Sequence, residues 1–156
     1  ERDKFIDQAS ILPECVKIEF MGSMPAREAF ALGRNVVVPS HHESLPYIVL
    51  EAIAGGKPVI ATRVGGMAEI FGPDSISLIE AHDVGGLADR LRYAIHHPTE
   101  MMSLATRLHA RVQGEFSAQQ MTKSVNSLYQ RLLTNKLAVT HDCDEPSSTN
   151  VEQVSL

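Results

Sequence analysis

The sequence predicts an α/β fold in which a parallel β-sheet is flanked by helices. Strand-like and helix-like segments alternate through roughly the first 95 residues, and their connections are short enough for right-handed crossovers. The runs at 36–38 and 59–60 are continuously apolar and β-branched, as is typical of strands covered on both faces of a parallel sheet. These observations together indicate a Rossmann-like layer that ends in a helical cap.

The first predicted elements lie within the first 39 residues. Residues 2–10 have the pattern of a helix, and residues 16–20 alternate apolar and polar side chains as a half-buried strand does. A short helix is predicted over 25–32, because a proline opens this segment and a glycine follows it. A buried strand is predicted over 35–39, where three valines stand in a row.

The alternation continues to residue 96. A helix over 45–54 stops at Gly55-Gly56, and Asp83 is placed to cap a helix over 84–96. The remaining predicted elements are a strand over 58–62, a short helix over 67–71 and a weaker strand over 77–79.

Two further helices, at about 99–113 and 117–135, complete the predicted domain. Their apolar residues recur at three- and four-residue spacing, which is typical of helices that bury one face. Beyond Ala138 this periodicity is lost and polar residues dominate. We therefore predict a partial domain over 1–136 and a disordered tail over 137–156.

Composition narrows the classes of function. The chain has 156 residues, a formal net charge of −5 and no basic block, which argues against a nucleic-acid partner. No apolar stretch approaches the ~20 residues that span a bilayer. The two cysteines, Cys15 and Cys143, lie far apart, which fits a reducing cytoplasm. The paired histidines His41-His42 and His96-His97 have no cysteine at ligand spacing, so no metal site is expected.

The segment after the strand at 35–39 contains the candidate site. Glu43 stands in a polar turn just before the helix that Pro46 opens, and ligands of parallel sheets bind beyond the carboxyl ends of the strands. The free N–H groups and positive dipole at that helix start suit a phosphate. Glu51 lies one to two turns inside the helix, roughly 8–10 Å along an axis that rises about 1.5 Å per residue. A diphosphate at the helix start would leave a sugar near Glu43 and a ribose near Glu51.

Six short motifs in this region carry a resemblance to one known family. The motifs are Phe20-Met21-Gly22, Val38-Pro39-Ser40, Glu43-Ser44-Leu45-Pro46-Tyr47, Val49-Leu50-Glu51-Ala52, Gly56-Lys57-Pro58-Val59-Ile60-Ala61-Thr62 and Gly65-Gly66. They resemble the C-terminal nucleotide-sugar domain of the large retaining GT-B glycosyltransferase family (family 4, glycosyl transferases group 1) over roughly residues 14–135. Within this family the chain resembles bacterial lipopolysaccharide and exopolysaccharide transferases.

The resemblance implies a role for each matching position. Glu43 matches the acid that hydrogen-bonds the transferred sugar, and it is the expected catalytic residue. Glu51 matches the acid that binds the nucleotide ribose, and Met24 falls where the family packs its chain against the base. The remaining donor-binding positions form one turn, in which the backbone amides from Leu45 to Ile48 match those that contact sugar and phosphate oxygens in the family. These positions are Ser44, Leu45, Pro46, Tyr47 and Ile48.

The resemblance also implies an enzyme. It would transfer a sugar with retention from GDP-mannose or a UDP-sugar to a glycan or lipid-linked acceptor, without cofactor or metal. Its expected place is the cytoplasm, at the inner face of the membrane if the N-terminal domain associates with it. The family's Arg and Lys for the diphosphate, and its acceptor domain, have no counterpart here. Because the chain also begins inside a helix-like segment without Met, we expect a piece of a larger enzyme, inactive alone.

Alternatives remain open from the sequence alone. A GT-B-like UDP-sugar 2-epimerase shares the architecture, and a non-catalytic sugar-nucleotide-binding partner domain would need no acceptor. Gly65-Gly66 could be turn glycines or could approach the ligand, and Arg63 could contact phosphate or face water. His41 and His42 could be loop residues or touch the substrate. The pair Asp142 and Asp144 follows no strand, so it is interpreted as chance and not as a metal motif.

Overall fold

The computed structural model describes residues 2–13 and 15–141, although not the side chains of residues 75 and 135–141. The chain forms two compact units, the first ending at Val112 and the second beginning at Gln113. The candidate site residues all belong to the first unit.

A parallel three-stranded sheet forms the centre of the first unit. Its strands are β1 (Val36–Val38), β2 (Val59–Thr62) and β3 (Leu78–Ile79), in the spatial order β1-β2-β3. Val36 stands opposite Val59, and Ala61 stands opposite Leu78. All four residues of β2 are buried, as the continuous apolar run predicts for a central strand. The predicted parallel sheet is therefore confirmed.

Helices connect the strands as the alternation predicts. Helix α1 (Arg2–Ser10) and helix α2 (Ala26–Ala31) precede β1, helix α3 (Tyr47–Ala54) links β1 to β2, and helix α4 (Met67–Phe71) follows β2. A 3₁₀ helix over Gly72–Ser77, which the sequence pattern does not predict, leads into β3. Then follow α5 (Val84–His96), α6 (Pro98–Glu115) and α7 (Ala118–His141). Each observed boundary lies within a few residues of the prediction except at the end of α7.

The core lies between the sheet and the helices of the first unit. Ile53 of α3, Ile60 of β2 and Met67 of α4 are fully buried, and so are Phe71 and Leu108. Burying one such side chain contributes about 1.5–3 kcal/mol to folding. Because α3 is packed through Val49, Ala52 and Ile53, its start is held firmly at one edge of the sheet.

Residues 16–20 do not form the predicted strand. They lie outside the sheet, and their apolar side chains Val16, Ile18 and Phe20 are exposed. An alternating pattern yields a strand only where a neighbouring strand supplies backbone partners, and the described sheet ends at β1. The Arg2 guanidinium instead donates a 3.2 Å hydrogen bond to the Phe20 carbonyl oxygen.

Helix α7 extends to His141, beyond the predicted end at 135 and into the predicted tail. The segment 136–141 contains no glycine or proline, so nothing in its sequence stops the helix. The remaining tail residues 142–156, with Cys143, Asp142 and Asp144, lie outside the described residues.

Candidate active site

Three loops meet at the carboxyl edge of the sheet, one after each strand. The Thr62 hydroxyl donates a 2.5 Å hydrogen bond to the Ser40 carbonyl oxygen, which ties the loop after β1 to the end of β2. The Gly66 N–H donates to the Ser44 carbonyl oxygen at 2.8 Å. The rings of His41 and His82 lie 4.2 Å apart, so the loop after β3 also contacts the loop after β1. The predicted site therefore lies on a platform built by all three strands.

Glu43 lies on this platform and is half-buried. The Ser40 hydroxyl donates a 2.9 Å hydrogen bond to one of its carboxylate oxygens, Oε1. The described residues place no cation in an ion pair with Glu43. A carboxylate that is oriented by a hydroxyl but not neutralised keeps its capacity to accept hydrogen bonds from a ligand.

The start of α3 lies beside Glu43. Pro46 is the buried N-cap residue, and its carbonyl oxygen accepts from the N–H groups of Val49 and Leu50 at 3.0 and 3.3 Å. No side chain caps this helix, so the backbone N–H groups of Tyr47 and Ile48 remain at its positive end. Pro46 itself has no N–H, so its contribution is to start the helix and not to donate to a ligand.

Gly65 and Gly66 pack directly against the backbone of the loop after β1. A Cβ on Gly65, whose φ is +51°, would lie 1.8 Å from the carbonyl oxygen of Glu43. A Cβ on Gly66 would lie 2.9 Å from the carbonyl oxygen of Ser44. The glycine pair is therefore required by contact between two loops, whether or not a ligand also approaches it.

Glu51 lies on the exposed face of α3 and lines a cavity of about 530 Å³ between α2 and α3. Arg27 and Phe30 of α2 line the same cavity. The sequence motifs indicate neither residue, although their three-residue spacing places them on one face of α2. Met24 is half-buried just before α2 and is not among the residues that line this cavity.

Arg63 forms an ion pair at the surface, whereas the predicted turn residues are exposed at the carboxyl edge of the sheet. The Arg63 guanidinium pairs with the Glu80 carboxylate at 3.2 Å, although both side chains are substantially exposed. Tyr47 is 73% exposed, and Ser44, Leu45 and Ile48 are also exposed at the same edge. Solvent screening weakens a pair as exposed as Arg63–Glu80, so it locates the arginine side chain without adding much stability.

A larger cavity, of about 630 Å³, lies at the opposite edge of the sheet. It is lined by residues at the amino ends of two strands, including Asn35 before β1 and Pro58 before β2. Since ligands of open parallel sheets bind at the carboxyl edge, we place the site at Glu43 and not in this larger cavity.

The groups whose pKa is shifted lie elsewhere, at the turn between α5 and α6. The hydrogen bond from the Tyr93 hydroxyl to the Glu100 carboxylate raises the pKa of Tyr93 and lowers the pKa of Glu100. His97 Nδ1 lies 3.1 Å from the same carboxylate, and its ring stacks on Tyr93 at 4.3 Å. These contacts tie the end of α5 to the start of α6.

Residues 2–97 match the family model described as "Glycosyl transferases group 1", and this match covers more than half of the chain. The chain belongs to this glycosyltransferase family. Glu43, Glu51 and the glycine pair all fall within the matched segment.

Several members of the glycosyltransferase group are similar to the chain. TuaC of Bacillus subtilis, whose name assigns it to teichuronic acid biosynthesis, is 34% identical over 94 residues, which are 60% of this chain and 24% of TuaC. A glycogen synthase of Mycobacterium tuberculosis is 29% identical over 83% of this chain and 32% of that protein. A D-inositol 3-phosphate glycosyltransferase of Saccharomonospora viridis is 35% identical over 63% of this chain and 23% of that protein. The chain thus spans about a quarter to a third of these relatives.

A solved structure supports the same fold. Sucrose-phosphate synthase from Thermosynechococcus elongatus superposes with a TM-score of 0.71 at 25% sequence identity, over 86% of this chain and 34% of that one. The Rossmann-like, GT-B-related architecture predicted from the sequence is therefore confirmed.

Among the residues that the structure describes, no three His, Cys, Asp or Glu side chains come together as a metal site would require. In the same part of the chain, no helix has both the length and the apolar character of a membrane span.

Proposed function

We propose that this chain is the nucleotide-sugar-binding part of a retaining hexosyltransferase. It takes a sugar from a nucleoside-diphosphate sugar, either GDP-mannose or a UDP-sugar, and delivers it to a glycan or glycolipid of the cell envelope. The observation that carries this proposal is Glu43, a half-buried carboxylate oriented by Ser40 beside the uncapped start of α3.

The site has two parts along α3. Glu43 accepts hydrogen bonds from hydroxyls of the sugar, and the N–H groups of Tyr47 and Ile48 donate to the diphosphate. The helix dipole stabilises the negative charge that grows on the leaving phosphate. Glu51 accepts hydrogen bonds from the ribose in the cavity between α2 and α3. Ser44, Leu45 and Pro46 shape the turn between the two parts.

The reaction exchanges one bond at the anomeric carbon for another. The bond from this carbon to the leaving phosphate oxygen breaks, and a bond to the acceptor hydroxyl oxygen forms on the same face of the ring. The hydroxyl proton passes to the leaving phosphate. No residue of this chain is required as a base, and no metal is invoked.

The name of one relative supports an envelope role. TuaC is named for teichuronic acid, a polysaccharide of the cell wall, and two further matches are named for glycogen and inositol phosphate. We extend the envelope role to lipopolysaccharide or exopolysaccharide assembly, at the cytoplasmic face of the membrane. The acceptor site belongs to a domain outside these residues, so the chain alone should not catalyse transfer.

Binding and product analysis of the complete gene product test the proposal. Titration with UDP, GDP and ADP should reveal one preferred nucleotide, and Glu43→Gln should abolish sugar transfer from the matching nucleotide-sugar. Glu19→Gln, a change at an exposed acid outside the site, is the matched control and should leave transfer unchanged. Epimerised sugar without transfer would identify the 2-epimerase alternative, and binding without any reaction would identify a non-catalytic partner.

A further inference from the structure

His82 has an unusual backbone conformation beside the site. Within the described residues it is the only non-glycine residue with a positive φ, at 67°. A side chain with a Cβ is disfavoured there, and such conformations persist where the surrounding structure imposes them, often at functional sites. His82 lies in the loop that leads from β3 to α5.

Contacts on both sides impose this conformation. The Asp83 N–H donates to the Glu80 carbonyl oxygen at 3.2 Å, and the Asp83 side chain caps α5 by accepting from the Gly86 N–H at 2.8 Å. The reversal at His82 therefore joins the end of β3 to a fixed helix start. It also turns the His82 ring toward His41, with the two ring planes at 56°.

His41 is the residue after Ser40, whose hydroxyl orients Glu43. The loop over 40–43 is already tied to β2 through the bond from Thr62 to the Ser40 carbonyl oxygen. The ring contact between His41 and His82 is a second constraint on this loop, and it comes from the loop after β3. Together, the two contacts fix the position of the Glu43 carboxylate relative to β2 and β3.

We propose that His82 is a positioning residue for the transferred sugar, acting through His41 on the loop over 40–43. This proposal rests on the proposed role of Glu43 as the sugar-binding acid. His82 touches neither the nucleotide nor the reacting atoms. Its removal should therefore weaken the sugar contacts while the nucleotide contacts at α3 and Glu51 remain.

The test compares two affinities in the complete gene product, using UDP-glucose with UDP and GDP-mannose with GDP. His82→Asn and His82→Gly both tolerate a positive φ and both remove the ring. Each should weaken binding of the nucleotide-sugar by about threefold to tenfold, the range expected for loss of an aromatic contact. Binding of the bare nucleoside diphosphate should not change, whereas general destabilisation of the fold would weaken both.

A double-mutant cycle shows whether His41 transmits the effect. His41→Ala should weaken nucleotide-sugar binding to a similar extent, and the double variant should be no weaker than either single one. His96→Asn, at an exposed histidine of α5, is the matched control and should change neither affinity. Additive losses, or equal losses for nucleotide-sugar and nucleotide, would overturn the proposal.

Glu43→Gln, measured in parallel, separates this inference from the proposed function. If Glu43→Gln weakens nucleotide-sugar binding and the His82 variants do not, the inference about His82 is wrong and the function stands. If Glu43→Gln has no effect either, the sugar site is elsewhere and both proposals fail.

Discussion

At the scale of single residues, the site depends on how closely two loops approach each other. Gly65 is in contact with the Glu43 carbonyl group, and the Ser40 hydroxyl fixes the Glu43 carboxylate. The sequence predicts Glu43 and Glu51 from the acids themselves and their spacing around a helix start. It cannot predict that the glycine pair is needed for loop contact, because that depends on where two distant turns meet.

Gly65→Ala should displace the Glu43 loop. The new methyl group would clash with the Glu43 carbonyl oxygen, and the left-handed conformation at φ +51° costs roughly 1–2 kcal/mol for a residue with a Cβ. We expect a lower melting temperature and, because the Glu43 carboxylate moves with its loop, a loss of sugar transfer of at least about tenfold, which corresponds to about 1.4 kcal/mol of activation free energy. Gly114→Ala, where nothing lies within 4 Å of the new methyl group, should be neutral or slightly stabilising. An active Gly65→Ala enzyme would contradict the loop contact.

Substitutions of the two acids, Glu43 and Glu51, should change different kinetic and binding parameters. Glu51→Gln removes a charged acceptor from the proposed ribose site and should weaken nucleoside diphosphate binding by ~1.5–3 kcal/mol. Glu43→Gln removes contacts to the transferred sugar that strengthen as positive charge develops on its ring. It should therefore mainly lower kcat, with a smaller loss of nucleotide-sugar binding and little change in nucleoside diphosphate binding. Steady-state kinetics and calorimetric titration of both variants measure the contrast. Equal losses of affinity with unchanged kcat would refute this division of roles.

At the scale of elements, the local sequence pattern predicts those helices and strands that find packing or hydrogen-bonding partners within the chain. The cap at Asp83, the valines of β1 and the glycines after α3 all stand where the sequence pattern places them. Residues 16–20 have an equally clear alternation but do not pair, because no described strand lies beside them. Strand patterns describe which side chains can be buried, and hydrogen-bonding partners decide whether a strand forms.

The turn between α5 and α6 should give a defined pH dependence of stability. The lowered pKa of Glu100 means that its contribution is present above its ordinary pKa of 4.5 and is lost as the pH falls through the lower folded-state value. The raised pKa of Tyr93 means that its contribution is present below 10.0 and is lost as the pH rises through the higher folded-state value.

Thermal unfolding of the parent and of Glu100→Gln across pH measures this effect. The variant should melt a few degrees lower at neutral pH, because surface contacts contribute modestly, and the difference should shrink in acid. Asp89→Asn, which breaks a separate surface ion pair with Arg92 on α5, is a suitable control for general charge effects. A difference that does not shrink as the pH falls from neutral into the acid range would rule out the Glu100 contact as its source.

At the scale of the whole molecule, all candidate site residues lie in the first compact unit. The family match covers much of the same unit and ends at residue 97. The sequence motifs that predict the donor half of the site therefore all fall within this unit. The contacts from Thr62, Gly65 and His82 are not predictable from the sequence, because they depend on three loops converging beyond the strand ends.

The outer edge of β1 makes the chain prone to self-association. No strand among the described residues pairs with this edge, and the side chain of Val37 in β1 is exposed. An open strand edge with apolar side chains is a template on which a second copy can add its own strand. Concentrated preparations of the chain should therefore form oligomers, which sedimentation velocity would detect. Val37→Lys should keep them monomeric, because charge on an edge strand disfavours intermolecular pairing.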